Sequence, residues 1–220
     1  MRWLYLAFMF VLSSSALADG PIQDPALARE LKARTETDQD ARFALIQFEA
    51  RTGWNKNMTA HNDAKVSAQH RRLLDKMTAI DRDNTAWLKG IVDKQGWPGR
   101  SRVGKEAAHL AWLLGQHADR DRPFQKQCLA LMRKLPRVEV DQQDIAYLTD
   151  RVAAGEGKKQ TYGTQLRYEH GKLVPHPAIE DEAHVDRRRT AVGMQPLKDY
   201  IAFCEKMMRG DANKAGPKKP

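Results

Sequence analysis

From Asp24 onward apolar residues recur at steps of three and four, the spacing of helices that bury one face. Asp24-Pro25 is a cap and first-turn signal. The segment to about Ala50 carries Leu27, Leu31, Leu45, Ile46 and Phe48, and Gly53 closes it. A polar stretch from Asn55 to Asp63 reads as the first loop. A second helix is expected from about Val66 to Lys89, with Leu73, Met77, Ile80, Trp87 and Ile91 forming a stripe through Asn84. Gly96-Trp97-Pro98-Gly99 stops it, and Ser101 is placed to cap a third helix, roughly Arg102 to His117. That helix is rich in Ala and Leu and poor in polar positions, which puts it at the centre of the core. Asp119 or Asp121 caps a fourth, with Pro123 in its first turn, Phe124, Cys128, Leu131, Met132 and Leu135 inward, and Pro136 at its end. Asp141 starts a fifth, with Ile145, Leu148 and Val152 on one face and Gly155 just past the end.

The texture then changes. Residues 160–179 carry Tyr162, Thr164, Tyr168 and Val174 around a His170-Gly171 turn, which reads as one β-hairpin or extended loop. Pro175 and Pro177 make its second arm an edge at best. Asp181 caps a sixth helix ending at Gly193. Pro196 opens a seventh, with Leu197, Tyr200, Ile201, Cys204 and Met208 inward. The pattern predicts a mainly α fold: a single helical domain over residues 19–209, about seven helices and one small hairpin. Residues 210–220 hold Pro, Gly and Lys without apolar periodicity, a disordered basic tail.

The N-terminus has another logic. Arg2 precedes an unbroken apolar stretch from Trp3 to Leu12, then three serines and Ala16-Leu17-Ala18. A charged start, a short apolar run and small residues at −3 and −1 are the parts of a Sec-type signal peptide, here cut after Ala18. The expected location is periplasmic or secreted. A spanning helix needs about 20 apolar residues, so no stable membrane insertion is expected after cleavage. Export bears on Cys128 and Cys204, since an oxidising compartment permits a disulfide between them. Two unpaired core thiols fit the helical pattern equally well.

Charge alters the picture less than it first promises. The 220 residues carry 37 Lys+Arg against 28 Asp+Glu, a formal +9. Arg2 leaves with the leader and the tail holds three lysines against one aspartate, so the folded part carries +6. Basic residues are interleaved with acids, aromatics fall on core stripes and no recognition module is present, which disfavours nucleic acid. The expected partner is an unknown small molecule or an anionic envelope polymer.

Polar chemistry concentrates in four places. Gln116, His117, Asp119, Asp121 and Gln125 gather where the third helix ends, and His117 there is a candidate general acid/base with Asp119 as partner. A His-x-Asp-x-Asp run can ligate a divalent ion, but it matches no established ligand set, so no metal site is assigned. Asp150-Arg151 lies beside Leu148 and Val152 at the core edge. Gln160 to Gln165 alternates, with Gln160, Tyr162 and Thr164 on one face, and Gly163 permits close approach. Arg188, within Arg187-Arg188-Arg189, can fork onto a carboxylate or phosphate.

These stretches, in order, resemble an uncharacterised bacterial domain family. The blocks are Gly96-Trp97-Pro98 with Val103-Gly104, Ala111 to Leu114, Gln116 to Asp119 with Phe124-Gln125, Ala146 to Val152, Gln160 to Gln165, Arg188-Arg189, Val192 to Met194 and Pro196-Leu197. The resemblance covers about residues 24–205. It implies no reaction, and it includes His117, Asp119, Asp150, Arg151, Gln160, Tyr162, Gln165 and Arg188, while Cys204 and the tail stand outside the pattern. The leading functional expectation is a small hydrolase- or transferase-like enzyme. In it His117, Asp119 and Asp150 do the chemistry, Arg151, Gln160, Tyr162, Gln165 and Arg188 bind, and no cofactor is required by the sequence. The alternatives are a binding module for a glycan, peptide or protein, lined by Trp97, Tyr162, Gln165 and Arg188, and a purely structural polar network.

Overall fold

The computed structural model describes residues 21–54, 61–169 and 171–208. The expected leader, residues 55–60 of the expected first loop, His170 of the expected turn and the expected tail fall outside them. Among the described residues there are seven α-helices and one two-stranded antiparallel hairpin, a mainly α fold. None of the described helices is long and apolar enough to cross a membrane. Contacts divide the chain into two compact units, one ending at Val140 and one beginning at Asp141.

The first unit holds α1 (Pro25–Thr52), α2 (Ala64–Gln95), α3 (Arg100–Gln116) and α4 (Arg122–Lys134). Aspartates start three of them: Asp24 accepts from Leu27 N at 3.0 Å, Asp63 from Lys65 N at 2.8 Å, and Asp121 from Phe124 N at 3.0 Å. Each satisfies a backbone N–H that the first helical turn leaves without a partner. Arg34 bonds Asn84, Arg42 meets Asp81 and Glu49 meets His70, so α1 and α2 run antiparallel along most of their lengths. Arg102 pairs with Asp24 near the start of α1 while His117 reaches Asp38 farther along, so α3 runs parallel to α1. Leu31, Leu88, Val103, Ala111, Leu114 and Phe124 are all but fully buried between these helices. Just past the end of α1, Trp54 stacks on the rings of His61 and His70, 4.1 Å from each.

Helix α3 begins differently from the expectation. Its N-cap is Gly99, and Ser101 sits inside the first turn. Both the N–H and the hydroxyl of Ser101 donate to Glu139 Oε2 at 2.9 Å, and Arg100 N donates to Glu139 O. A remote carboxylate thus performs the cap that a local serine was expected to provide. Gly104 interrupts the helix at φ 84, where an added Cβ would lie 3.0 Å from Ile22 Cδ1. Trp97, expected in a recognition pocket, is a core residue 6% exposed.

The second unit holds α5 (Gln142–Gly155), the hairpin β1 (Leu166–Glu169) and β2 (Lys172–Pro175), a 3-10 turn (Glu182–His184), α6 (Val185–Ala191) and α7 (Leu197–Met208). Asp141 caps α5 through Gln143 N at 2.9 Å, and Gly155 closes the helix from inside it rather than from beyond. The hairpin pairs Leu166 with Pro175 and Glu169 with Lys172. It is shorter than the expected 160–179 span, because residues 160–165 are a loop rather than a strand. Asp181 makes no side-chain cap for the turn that follows it. Cys128 and Cys204 are both free and buried, one in each unit. The core-thiol reading is the one realised.

Candidate functional site

Helix α1 buries Leu27, Leu31, Thr35, Asp38, Ala41, Arg42 and Leu45. The steps of three and four that carry the leucines run straight through Asp38 and Arg42, so the fold drives an acid and a base into the same stripe as the core. On α2 the inward face passes Met77, Asp81, Asn84 and Leu88, placing Asp81 opposite Arg42. His117 is the C-cap of α3, where the helix ends alongside this level of α1. Charged side chains are rarely buried unless paired. Here four of them converge.

The geometry is tight. The side chains of Asp38 and Arg42 are each 1% exposed, His117 10% and Asp81 16%. His117 Nδ1 lies 3.0 Å from Asp38 Oδ2 and 3.1 Å from Oδ1. Arg42 Nε donates to both oxygens of Asp38 at 3.2 Å and also faces His117 Nδ1 at 3.1 Å. Arg42 Nη2 contacts Asp38 Oδ1 at 3.1 Å and bonds Asp81 Oδ1, while Nη1 meets Met77 Sδ at 3.5 Å.

The two carboxyls are driven apart in proton affinity. Burial by itself would raise Asp38, but the imidazole of His117 and the guanidinium of Arg42 hold it well below the ordinary carboxylate range. Asp81 is pushed up to about 7, first by burial and then by repulsion from Asp38, with Arg42 opposing. One carboxyl therefore stays ionised while its neighbour keeps its proton close to neutrality.

The other predicted residues are placed as follows. Asp119 Oδ1 accepts from Gln125 Nε2 at 3.1 Å, and the same nitrogen donates to Gln116 O at 2.7 Å. Asp121 caps α4 and receives Lys89 Nζ at 3.0 Å. The structure sets the His117 ring against Asp38 and Arg42, both on α1 and more than seventy residues upstream.

In the second unit Asp150, Arg151, Gln160, Tyr162, Gln165 and Arg188 do come together, around the 160–165 loop. Asp150 is fully buried, and its carboxylate accepts from Thr161 N at 2.7 Å, Tyr162 N at 3.1 Å, Thr164 N at 2.9 Å and Thr164 Oγ1 at 3.0 Å. Burial pushes its carboxyl up and the three amides pull it down, leaving it above the ordinary value. Gln160 accepts from Gln165 N and donates to the carbonyls of Gln165 and Pro177. Arg151 reaches Gln165 Oε1 at 3.1 Å. Arg188 donates to the carbonyls of Thr161, Glu180 and Asp181, and Arg189 to that of Tyr162. Gly163 stands at φ 72, where a Cβ would come within 2.5 Å of Ile179 Cδ1. The alternation expected across this segment is replaced by a loop wound round one carboxylate, with the side chains of Gln160, Thr164 and Gln165 closing part of it.

A family model described as a family of unknown function (DUF6624) matches residues 25–210, nearly the whole described chain, and the protein belongs to that family. No curated protein and no solved structure matches the chain.

Proposed function

We propose that this member of a family of unknown function is an exported hydrolase- or transferase-like enzyme whose acid–base centre is Asp38, Arg42, Asp81 and His117. The observation that carries the reading is the pairing of two neighbouring carboxyls with opposed proton affinities, one of them bonded to an imidazole. Groups whose environments split their affinities in this way are suited to take and return a proton near neutral pH. In this assignment the Asp38–His117 pair accepts a proton from an incoming hydroxyl, thiol or water. Asp81, the most exposed of the four, returns one to the leaving group, and Arg42 balances the negative charge between them.

Asp150 and the residues around it are assigned to holding the 160–165 loop, since every bond described for the Asp150 carboxylate runs to that loop. The export part of the proposal rests on Arg2, the apolar run from Trp3 to Leu12 and Ala16-Leu17-Ala18.

The test is a panel of chromogenic carboxylic esters, phosphomonoesters, phosphodiesters, glycosides and anilides given to the mature chain, His117→Gln and Asp38→Asn. Turnover of one class, reduced about 100-fold or more in both variants with unchanged circular dichroism, is the expected result. Turnover that persists in His117→Gln overturns the assignment. So does a panel with no turnover above the His117→Gln background.

A further inference from the structure

His117 Nδ1 lies within hydrogen-bond reach of both a carboxylate and a guanidinium, 3.0 Å from Asp38 Oδ2 and 3.1 Å from Arg42 Nε. A ring nitrogen carries either one proton or one lone pair. If it carries the proton, it donates well to Asp38 but turns that N–H against the N–H of Arg42. If it carries the lone pair, it accepts from Arg42 but sets that lone pair against the carboxylate. Neither tautomer satisfies both neighbours. Arg42 Nε meanwhile faces three acceptors, the two oxygens of Asp38 and the imidazole nitrogen, at 3.1–3.2 Å. Lone pairs from different helices directed at one cationic centre are the arrangement of ligands about an ion.

The donor distances support this. One atom each from Asp38, Asp81 and His117 can be chosen so that all lie within 4.8 Å of one another. Nitrogen and oxygen ligands sit roughly 2.0–2.2 Å from a zinc ion, which places them about 3–3.5 Å apart, so modest side-chain rotation closes the set. The ligands come from three separate elements, α1, α2 and the end of α3, all fixed by core packing. Two carboxylates and a neutral imidazole offset a divalent charge, and the mixed nitrogen and oxygen set suits zinc, manganese, iron or cobalt better than calcium.

We propose that Asp38, Asp81 and His117 form a binding site for a divalent transition-metal ion, and that the Arg42 guanidinium holds the cation position in the metal-free protein. The inference rests on the reading of this cluster as the working site and adds the ion it takes, which Asp81 binds after giving up its proton. Arg42 is then a built-in competitor, displaced when the metal binds, and its charge sets the affinity of the site. The His-x-Asp-x-Asp run contributes only its histidine, since Asp119 and Asp121 are engaged with Gln125, Lys89 and the α4 cap.

The experiment is a substrate-free titration of the chelator-stripped mature chain with Co²⁺, followed by visible absorption, and with Zn²⁺, followed by calorimetry. One ion per chain is expected. His117→Gln and Asp81→Asn should each weaken it at least about 100-fold, and Arg42→Gln should tighten it by roughly ten-fold or more. Asp81→Asn alters the most exposed ligand, so it reports even if His117→Gln fails to fold. Absence of saturable binding to the wild-type chain overturns the proposal. Binding that appears only in Arg42→Gln, or that both ligand variants leave unchanged, overturns it as well. Turnover that depends on His117 without bound ion retires the metal and leaves the acid–base centre standing. Binding with no turnover does the reverse.

Discussion

Replacing Asp150 with Ala leaves three backbone amides and one hydroxyl facing an empty acceptor site in the second unit. A buried donor without a partner costs about 1–3 kcal/mol. Thr164 N is fully buried and bears the whole of that. The amides of Thr161 and Tyr162 are partly reached by water and bear about half each, while the Thr164 hydroxyl can turn elsewhere. The sum is about 2–6 kcal/mol, centred near about 4, a large share of a typical 5–15 kcal/mol of domain stability. With a urea slope of about 2 kcal/mol/M the unfolding midpoint should fall by roughly 2 M. Asp150→Asn keeps one oxygen but aims an NH₂ at amide donors, so about half of that loss is expected. Far-UV circular dichroism gives the midpoint, and hydrogen exchange of a peptide spanning residues 160–165 localises the change. Fluorescence serves as an internal control, since Trp54, Trp87, Trp97 and Trp112 all lie in the first unit. A midpoint for Asp150→Ala within about 0.3 M of wild type refutes the reasoning. So does an Asp150→Asn variant of normal stability and normal exchange that has lost turnover.

Asp81 and Asp38 predict opposite pH dependences. The proton affinity of Asp81 is raised by folding to about 7, so its stabilising contribution is complete below its unfolded value near 3.8 and is lost as pH rises toward 7. Asp38 is lowered, so its contribution is present above 3.8 and is lost only in stronger acid. Asp81→Asn should therefore gain on wild type between pH 4 and pH 7.5 in paired urea titrations, and a difference constant across that range counts against the assignment. Both cysteines are free and buried, with Cys204 pushed up to about 11 by burial and Cys128 raised further. Ellman's reagent should find almost no thiol in the native chain and two per chain in guanidinium without reductant. Two thiols that appear only after reduction would establish a disulfide instead.

The helices were legible because their signals are local. Aspartate caps at 24, 121 and 141 and the apolar steps of α1 and α5 need no knowledge of distant partners. On α2 the buried face takes Met77, Leu88 and Val92 rather than the expected Leu73, Ile80, Trp87 and Ile91. The cap of α3 was not legible, because Glu139 supplies it from thirty-eight residues away. Residues 160–165 showed β-like alternation, yet a single buried carboxylate collecting three amides outweighs a strand propensity worth tenths of a kcal/mol per residue. The candidate centre was legible in one of its four residues. His117 stood out as polar at the end of an apolar helix, whereas no local motif singled out Asp38, Arg42 or Asp81. A usable signal was there: α1 has a gap in its apolar stripe between Leu31 and Leu45, and residues 35, 38 and 42 continue the stripe's phase across it. Polar residues in phase with a core stripe mark either a buried network or a site.

Glu139 has a consequence for how the protein can be taken apart. Asp24, just ahead of α1, donates its N–H to Arg102 O at 2.8 Å, and Glu139, just before the first unit ends, accepts at its carbonyl from Arg100 N at 3.0 Å. Both are thus fastened to the same turn. A module with adjoining ends can be excised, permuted or inserted into another chain without rethreading. The point just after Val140 is accordingly where a recombination event, or a protein engineer, could separate the Asp38–Arg42–Asp81–His117 cluster from the Asp150 loop and ask each what it does alone.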